Sequence, residues 1–186
     1  MANILIIYYS VNGSTKKMAR LIARGVEMIP NINSVIRTVN NDNQSADNSD
    51  PIVEISDLKE CSGLIIGSPT HFGNMAAPLK LFIDSTTAEW FNGTLTGKPA
   101  GVFTSTSSLH GGQETTLLTM MIPLLHHGMI ISGIPYSEIG LNETRTGGSP
   151  YGPTHFSGNK TNKLSEHEIK LCFAFGERIA KIAKKL

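Results

Sequence analysis

The chain has 186 residues, 40% apolar and 17% charged, with a formal net charge of +1 when histidine is neutral. That length suits one domain with a full hydrophobic core, residues 1–186. The near-neutral balance gives no argument for nucleic acid or an anionic membrane. Two cysteines, Cys61 and Cys172, stand far apart in no pair motif. They speak against a disulfide scaffold or a zinc site and for a reducing compartment. The N-terminal MANILIIYYS lacks a basic region, its apolar run is too short for a signal peptide, and no stretch reaches the length of a membrane span. A cytoplasmic protein with no membrane insertion is expected.

Strand and helix patterns alternate along the chain. NILIIYY (3–9) is short, continuous and β-branched-rich, the pattern of a strand buried on both faces. Met18, Leu21, Ile22 and Val26 then share one helical face over 14–28. SVIRTV (34–39) reads as a second strand, NNDNQSADNSDP (40–51) as a surface loop and ISDLKE (55–60) as a short helix. A third strand covers 62–69, a helix 75–87, a fourth strand 98–107, a helix 113–127 and a fifth strand 128–135. A Gly/Pro/Ser-rich excursion over 136–164 precedes a final helix, 165–185. So long a connection is expected to be functional or folded onto a neighbour. This alternation predicts a flavodoxin-like α/β three-layer sandwich: a five-stranded parallel sheet in the order 2-1-3-4-5 with helices on both faces.

The first turn, YSVNGSTKK, sits between a strand and a helix start. A helix begins with unpaired N–H groups and the positive end of its dipole, a ready anion site. Ser10, Ser14 and Thr15 add hydroxyl donors, and Gly13 lets the backbone curl close. Neither G-x-x-x-x-G-K-[ST] nor, at this turn, G-x-G-x-x-G occurs, so a nucleoside-triphosphate loop and a dinucleotide fold entry are both excluded here. Ligands of open parallel sheets bind outside the carboxyl ends of the strands. That edge also holds SPTHFGN (Ser68 to Asn74) and TSTSSLHGG (Thr104 to Gly112), rich in hydroxyls and glycine, with two imidazoles and one phenyl ring. A phosphate site at one end and a stacking surface at the other describe flavin mononucleotide (FMN).

At this point the chain resembles the tryptophan-repressor-binding-protein (WrbA) family, the type IV NAD(P)H:quinone oxidoreductases. The matching pieces are YYSVNGSTKKMA, GSPTHFGNM, TSTSSLHGGQETT, LLHHGM and TGGSPYGPTHFSG, which span 8–158 in family order. The resemblance implies that Ser10, Val11, Asn12, Gly13, Ser14 and Thr15 hold the FMN phosphate. It implies that Pro69, Thr70, His71, Phe72, Gly73 and Asn74 line the ribityl chain and ring. Ser105, Thr106, Ser107, Leu109, His110, Gly111 and Gly112 would bind the far side of the ring. His127 would lie near the flavin and substrate as the candidate proton source, with solvent its rival, and Trp90 would border the substrate pocket of a neighbouring subunit. NADH or NADPH is the implied donor, a quinone the acceptor, and a homotetramer built as a dimer of dimers the assembly. In two places the chain departs from the family pattern. His71 stands where arginine is usual, and Asn12 where an aromatic residue often contributes to nicotinamide-nucleotide and substrate binding.

The charge pattern bears on the choice between enzyme and carrier. Flavodoxins shuttle single electrons and are acidic around the flavin. One charge about 4 Å away at an effective dielectric near 20 is worth roughly 4 kcal/mol. For a one-electron step that is on the order of 170 mV. SPTHFGN and TSTSSLHGG contain no Asp or Glu, so nothing in them opposes anionic reduced flavin. Two-electron chemistry from NAD(P)H to a quinone is the expected function. A flavodoxin-type electron carrier and a protein-binding module on the same fold are the alternatives. Metal binding is not expected, since the adjacent His126 and His127 diverge by about 100° on a helix and no third ligand follows.

Overall fold

A computed structural model describes residues 2–40, 50–158 and 163–186. Most of the loop expected at 40–51, and positions 159–162 of the excursion, lie outside the described residues. Strand β1 (Ala2–Tyr8) runs between two parallel neighbours, β2 (Ile32–Thr38) and β3 (Gly63–His71). Its side chains alternate between two buried faces, as its unbroken apolar run requires. Ile4, Ile6 and Tyr8 join one core with Met18 and Ile22 of α1 (Ser14–Glu27) and Phe175 and Ile179 of α7 (Glu166–Ala183). Leu5, Ile7 and Tyr9 join the other. That second core also takes Leu58 of α2 (Ile55–Glu60), Leu79 of α3 (Ala77–Asp84), and Leu117 and Met120 of α5 (Gln113–His126).

The flavodoxin-like fold class stands, with a larger sheet than expected. Among the described residues it has seven strands. The path β2-β1-β3-β5-β6 carries the five expected strands, with β5 at Pro99–Thr106 and β6 at Ile130–Ile131. The two additions are β4 (Asn74–Met75), antiparallel to β3, and β7 (Thr154–Phe156), parallel to β5. The fifth expected strand is short because the chain leaves the sheet at Gly133-Ile134-Pro135, where the Ile134 N–H turns to the Pro150 carbonyl. Strand β7 then fills the edge alongside Thr104–Thr106. The excursion contains α6 (Gly140–Glu143) as well as β7.

The helix expected at 75–87 is split into α3 and α4 (Thr87–Phe91). Three successive hydroxyls cause the break. Ser85 donates to the Phe82 carbonyl (2.6 Å), Thr86 to Ile83 (2.7 Å) and Thr87 to Asp84 (3.1 Å). Such local bonds compete with helix propagation. Helices α1 and α7 pack backbone to backbone. A Cβ on Gly25 would meet the Phe173 carbonyl oxygen at 2.1 Å, and one on Gly176 would meet that of Ile22 at 2.1 Å. This close crossing fixes α1, and with it the first turn of the candidate site.

Candidate functional site

Helix α1 opens at Gly13, held at φ 79°, with no side-chain cap and no acid in its first turn. Its first N–H groups therefore point out of the helix toward a cavity of about 180 Å³. Ser10, Val11, Asn12, Ser14, Thr15, Pro69, Thr70, His71, Ser105, Thr106 and Ser107 all line it, as does Ser157 from the excursion. Among the described residues no carboxylate, lysine or arginine lines this cavity, and His71 is the one ionisable group that does.

The hydroxyls of the cavity fall into two groups. Thr116 donates to Thr70 (3.1 Å), Thr70 faces Thr104 (3.3 Å), and Thr104 donates to the Ser68 carbonyl (2.7 Å). That chain is satisfied within the protein. Thr106 donates to the Ser108 carbonyl and Ser157 to that of Thr106. By contrast, Thr15 and Ser105 share one hydrogen bond (3.0 Å), which consumes one of their two protons. The second proton, together with the hydroxyls of Ser10 and Ser107, is left for an external acceptor. A buried concavity of hydroxyl and backbone donors at a helix start suits a phosphate monoester. Its volume lies below the ~300–1,000 Å³ of whole-ligand pockets, so it has room for one end of a longer molecule. The donor set thus fits FMN by its phosphate.

A two-residue hairpin joins β3 to β4, with Phe72 (φ 53°) and Gly73 (φ 77°) at its tip. Positive φ at both central positions is the type I′ pattern. A phenylalanine there is strained, and its side chain is fully exposed. Gly112, the N-cap of α5 at φ 97°, packs on this tip; a Cβ there would lie 2.9 Å from Gly73 Cα. The expected residues Phe72, Gly73, Leu109, His110, Gly111 and Gly112 are not among those that line the cavity.

On the other side of the hairpin lies a cavity of about 600 Å³ bordered by β4, α3, α4 and α5. Asn74, Trp90 and His127 line it, so these three expected residues stand apart from the phosphate cavity. Trp90 is half-exposed. His127 is buried, and its Nε2 lies 3.0 Å from Thr86 Oγ1. Burial is the largest influence on its pKa and lowers it; Glu89 pulls upward and His126 pushes down. An ion pair between Lys80 and Asp84 (2.6 Å) also borders this cavity.

Ser157, Thr86 and Glu89 were not legible as site residues, and neither was the pair that anchors the excursion. Glu168 and His155 are almost fully buried, with His155 Nδ1 3.1 Å from Glu168 Oε2. Glu168 also accepts the N–H groups of Gly147 (2.8 Å), Phe156 (2.9 Å) and Ser165 (2.6 Å). That carboxylate ties the middle and the C-terminal end of the excursion to α7, and His155 pairs with Ser105 in the sheet register. Ser165 followed by Glu168 is a capping-box pattern, the one sequence signal for this anchor.

A parallel α/β sandwich with this strand order and a phosphate cradle at its carboxyl edge defines a flavodoxin-like protein. Residues 2–140 match the model of the family described as NADPH-dependent FMN reductase, and the chain belongs to that family. It is 39% identical to a NAD(P)H dehydrogenase (quinone) of Solidesulfovibrio magneticus, over 99% of this chain and 98% of that one. A protein of the same description from Geobacter sulfurreducens is also 39% identical, over 99% and 98% of the two chains. Among solved structures, a WrbA-like flavodoxin from Agrobacterium tumefaciens superimposes with a TM-score of 0.74. It covers 100% of this chain and 99% of that one at 22% identity, a likeness that bears on the fold.

Proposed function

We propose that this chain is an FMN-dependent NAD(P)H:quinone oxidoreductase. The overall reaction is NAD(P)H + H⁺ + quinone → NAD(P)⁺ + hydroquinone. FMN, when bound, supplies the hydride-accepting and electron-donating chemistry. The chain's own residues bind, orient and exclude water. Ser10, Thr15, Ser105, Ser107 and the α1 N-terminus hold the phosphate. The Phe72 rim and the 107–112 loop flank the ring, and the larger cavity beyond the hairpin admits the flat substrate. His127 and Trp90 border that substrate.

One observation carries the reading: a hydroxyl-lined cradle, with no carboxylate among the described residues, and a roomy cavity of mixed polar and apolar lining meet at a single strained hairpin. A one-electron carrier has no use for the second cavity. The relatives described as NAD(P)H dehydrogenases (quinone), aligned over almost the whole chain, support the same activity. The test is steady-state oxidation of NADH and NADPH by the FMN-loaded protein with benzoquinone. Turnover that disappears when FMN is removed and returns on its addition supports the reading. No quinone-dependent oxidation of either nucleotide overturns it.

The proposal extends to assembly and location. Helices α3, α4 and α5 expose Leu81, Phe91, Ile122 and Leu125 around the larger cavity, a face that a homotetramer would cover. Sedimentation of the FMN-loaded protein at four times the chain mass supports this, and a monomer overturns it. Among the described residues no helix is long and apolar enough to cross a membrane. The reducing setting suggested by two free, buried cysteines fits a cytoplasmic enzyme acting as one FMN-binding unit over 1–186.

A further inference from the structure

The proton inventory around Thr86 fixes the state of His127. Thr86 has one hydroxyl proton and two neighbours within reach, the Ile83 carbonyl oxygen at 2.7 Å and His127 Nε2 at 3.0 Å. A carbonyl oxygen can only accept, so the proton is directed to Ile83. Toward the imidazole, Thr86 is then the acceptor, and Nε2 must carry a hydrogen. The other ring nitrogen, Nδ1, is buried and has no hydrogen-bond partner among the described residues.

The groups that face the ring come from three helices. Glu89 lies on α4 one turn after Thr86 and is itself buried. His126 is the ring's neighbour in sequence at the end of α5, and Lys80 and Asp84 of α3 line the same cavity. The residues at i, i+3 and i+4 from Thr86 (Thr86, Glu89 and Trp90) share one side of α4. Burial leaves the ring neutral at pH 7, and a neutral ring protonated at Nε2 has a bare lone pair at Nδ1.

We propose that Thr86 is a positioning residue that holds His127 as the Nε2–H tautomer, its hydrogen committed to Thr86 and its free lone pair, at Nδ1, sealed from the cavity. The tautomer stands independently of the quinone-reductase reading; the source of the quinone's proton rests on it. In this arrangement resting His127 has no proton to deliver, and the proton that completes the hydroquinone comes from solvent.

The experiment is nitrogen NMR of histidine-labelled, FMN-loaded full chain at pH 7, with His127→Gln to assign the signal. Wild type and Thr86→Ser should show His127 protonated at Nε2 alone. Thr86→Val should raise the Nδ1–H form several-fold, with Thr86→Ser unchanged. A wild-type ring protonated at Nδ1 overturns the inference without any variant, and so does a Thr86→Val tautomer ratio equal to wild type. If quinone turnover is absent but the Nε2–H tautomer is found, the catalytic reading fails and the positioning role stands. If turnover is present but falls tenfold or more in His127→Gln, solvent is not the proton source and that consequence fails.

Discussion

His71 and Asn74 are cross-strand partners in the β3–β4 hairpin, yet they line different cavities. Two residues of turn separate them. The hairpin is therefore the wall between the two cavities, and on the proposed reading its tip is where a flavin ring would meet both. Phe72, strained and fully exposed at that tip, makes sense as a ring awaiting a partner.

Phe72→Asn tests that trade between stability and function. Asn-Gly is the favoured pair for a type I′ turn. The substitution should stabilise the unliganded protein by about 1 kcal/mol, read from urea unfolding. FMN affinity, read from quenching of flavin fluorescence, should fall several-fold. Equal FMN affinity in the variant would remove Phe72 from the site.

Thr15→Val removes both the bond to Ser105 and a hydroxyl proton from the cradle. A hydrogen bond to a charged group is worth roughly 1.5–3 kcal/mol, so the FMN dissociation constant should rise at least about tenfold. Riboflavin, which lacks the phosphate, should bind wild type and variant alike. An equal loss for both ligands would place the effect elsewhere.

His127 gives stability a pH dependence of known sign. Burial, its largest influence, lowers the folded pKa below the ordinary 6.5. The unfolded chain then takes up a proton first as pH falls. Stability is unaffected well above 6.5, declines as pH drops through it, and levels off below the folded value. Urea midpoints between pH 8 and 5 should fall more steeply for wild type than for His127→Asn. Parallel curves would contradict the buried, neutral ring.

Glu168 acts at lower pH. Burial works to raise its pKa, but bonds from His155 and the Phe156 and Ser165 N–H groups outweigh it and hold the carboxyl below its ordinary 4.5. Its stabilisation is present above that value and is lost as pH falls through the lowered folded pKa. Glu168→Ala leaves His155 and three N–H groups without their acceptor, and should cost about 3–5 kcal/mol at pH 7. Glu168→Gln should flatten the loss of stability between pH 5 and 3. Unchanged unfolding in Glu168→Ala would mean that the excursion is anchored by other contacts.

Much of this fold was legible because its signals are local. The continuous run at Ile4–Tyr8 can only be a strand buried on both faces, and Gly13-Ser14-Thr15 marks a helix start with open N–H groups. The cradle was readable for the same reason: apart from Ser157, its lining comes from three loops at one sheet edge. What escaped was set by tertiary contact. Nothing in Thr154–Phe156 announces a strand until β5 offers an unpaired edge. Ser157 enters the cradle because β7 pairs with β5 and its own N–H and hydroxyl bond the Thr106 carbonyl, with Glu168 of α7 holding the neighbouring Phe156 N–H. Ser85, Thr86 and Thr87 were readable as hydroxyls but not as a helix break, since the apolar pattern runs through them. His127 was singled out, but its partner lies 41 residues away, and no spacing rule links the two.

The central claim is two-electron transfer from a nicotinamide donor through bound FMN to a quinone. Anaerobic stopped-flow absorbance tests it most directly: FMN-loaded protein is mixed with NADH or NADPH, then with benzoquinone. The account predicts loss of flavin absorbance in a single phase with one nucleotide consumed per flavin, followed by full reoxidation with one quinone per flavin. Flavin that stays oxidised with both nucleotides, or reoxidation that proceeds in two separate one-electron phases, would contradict it and return the chain to the class of electron carriers.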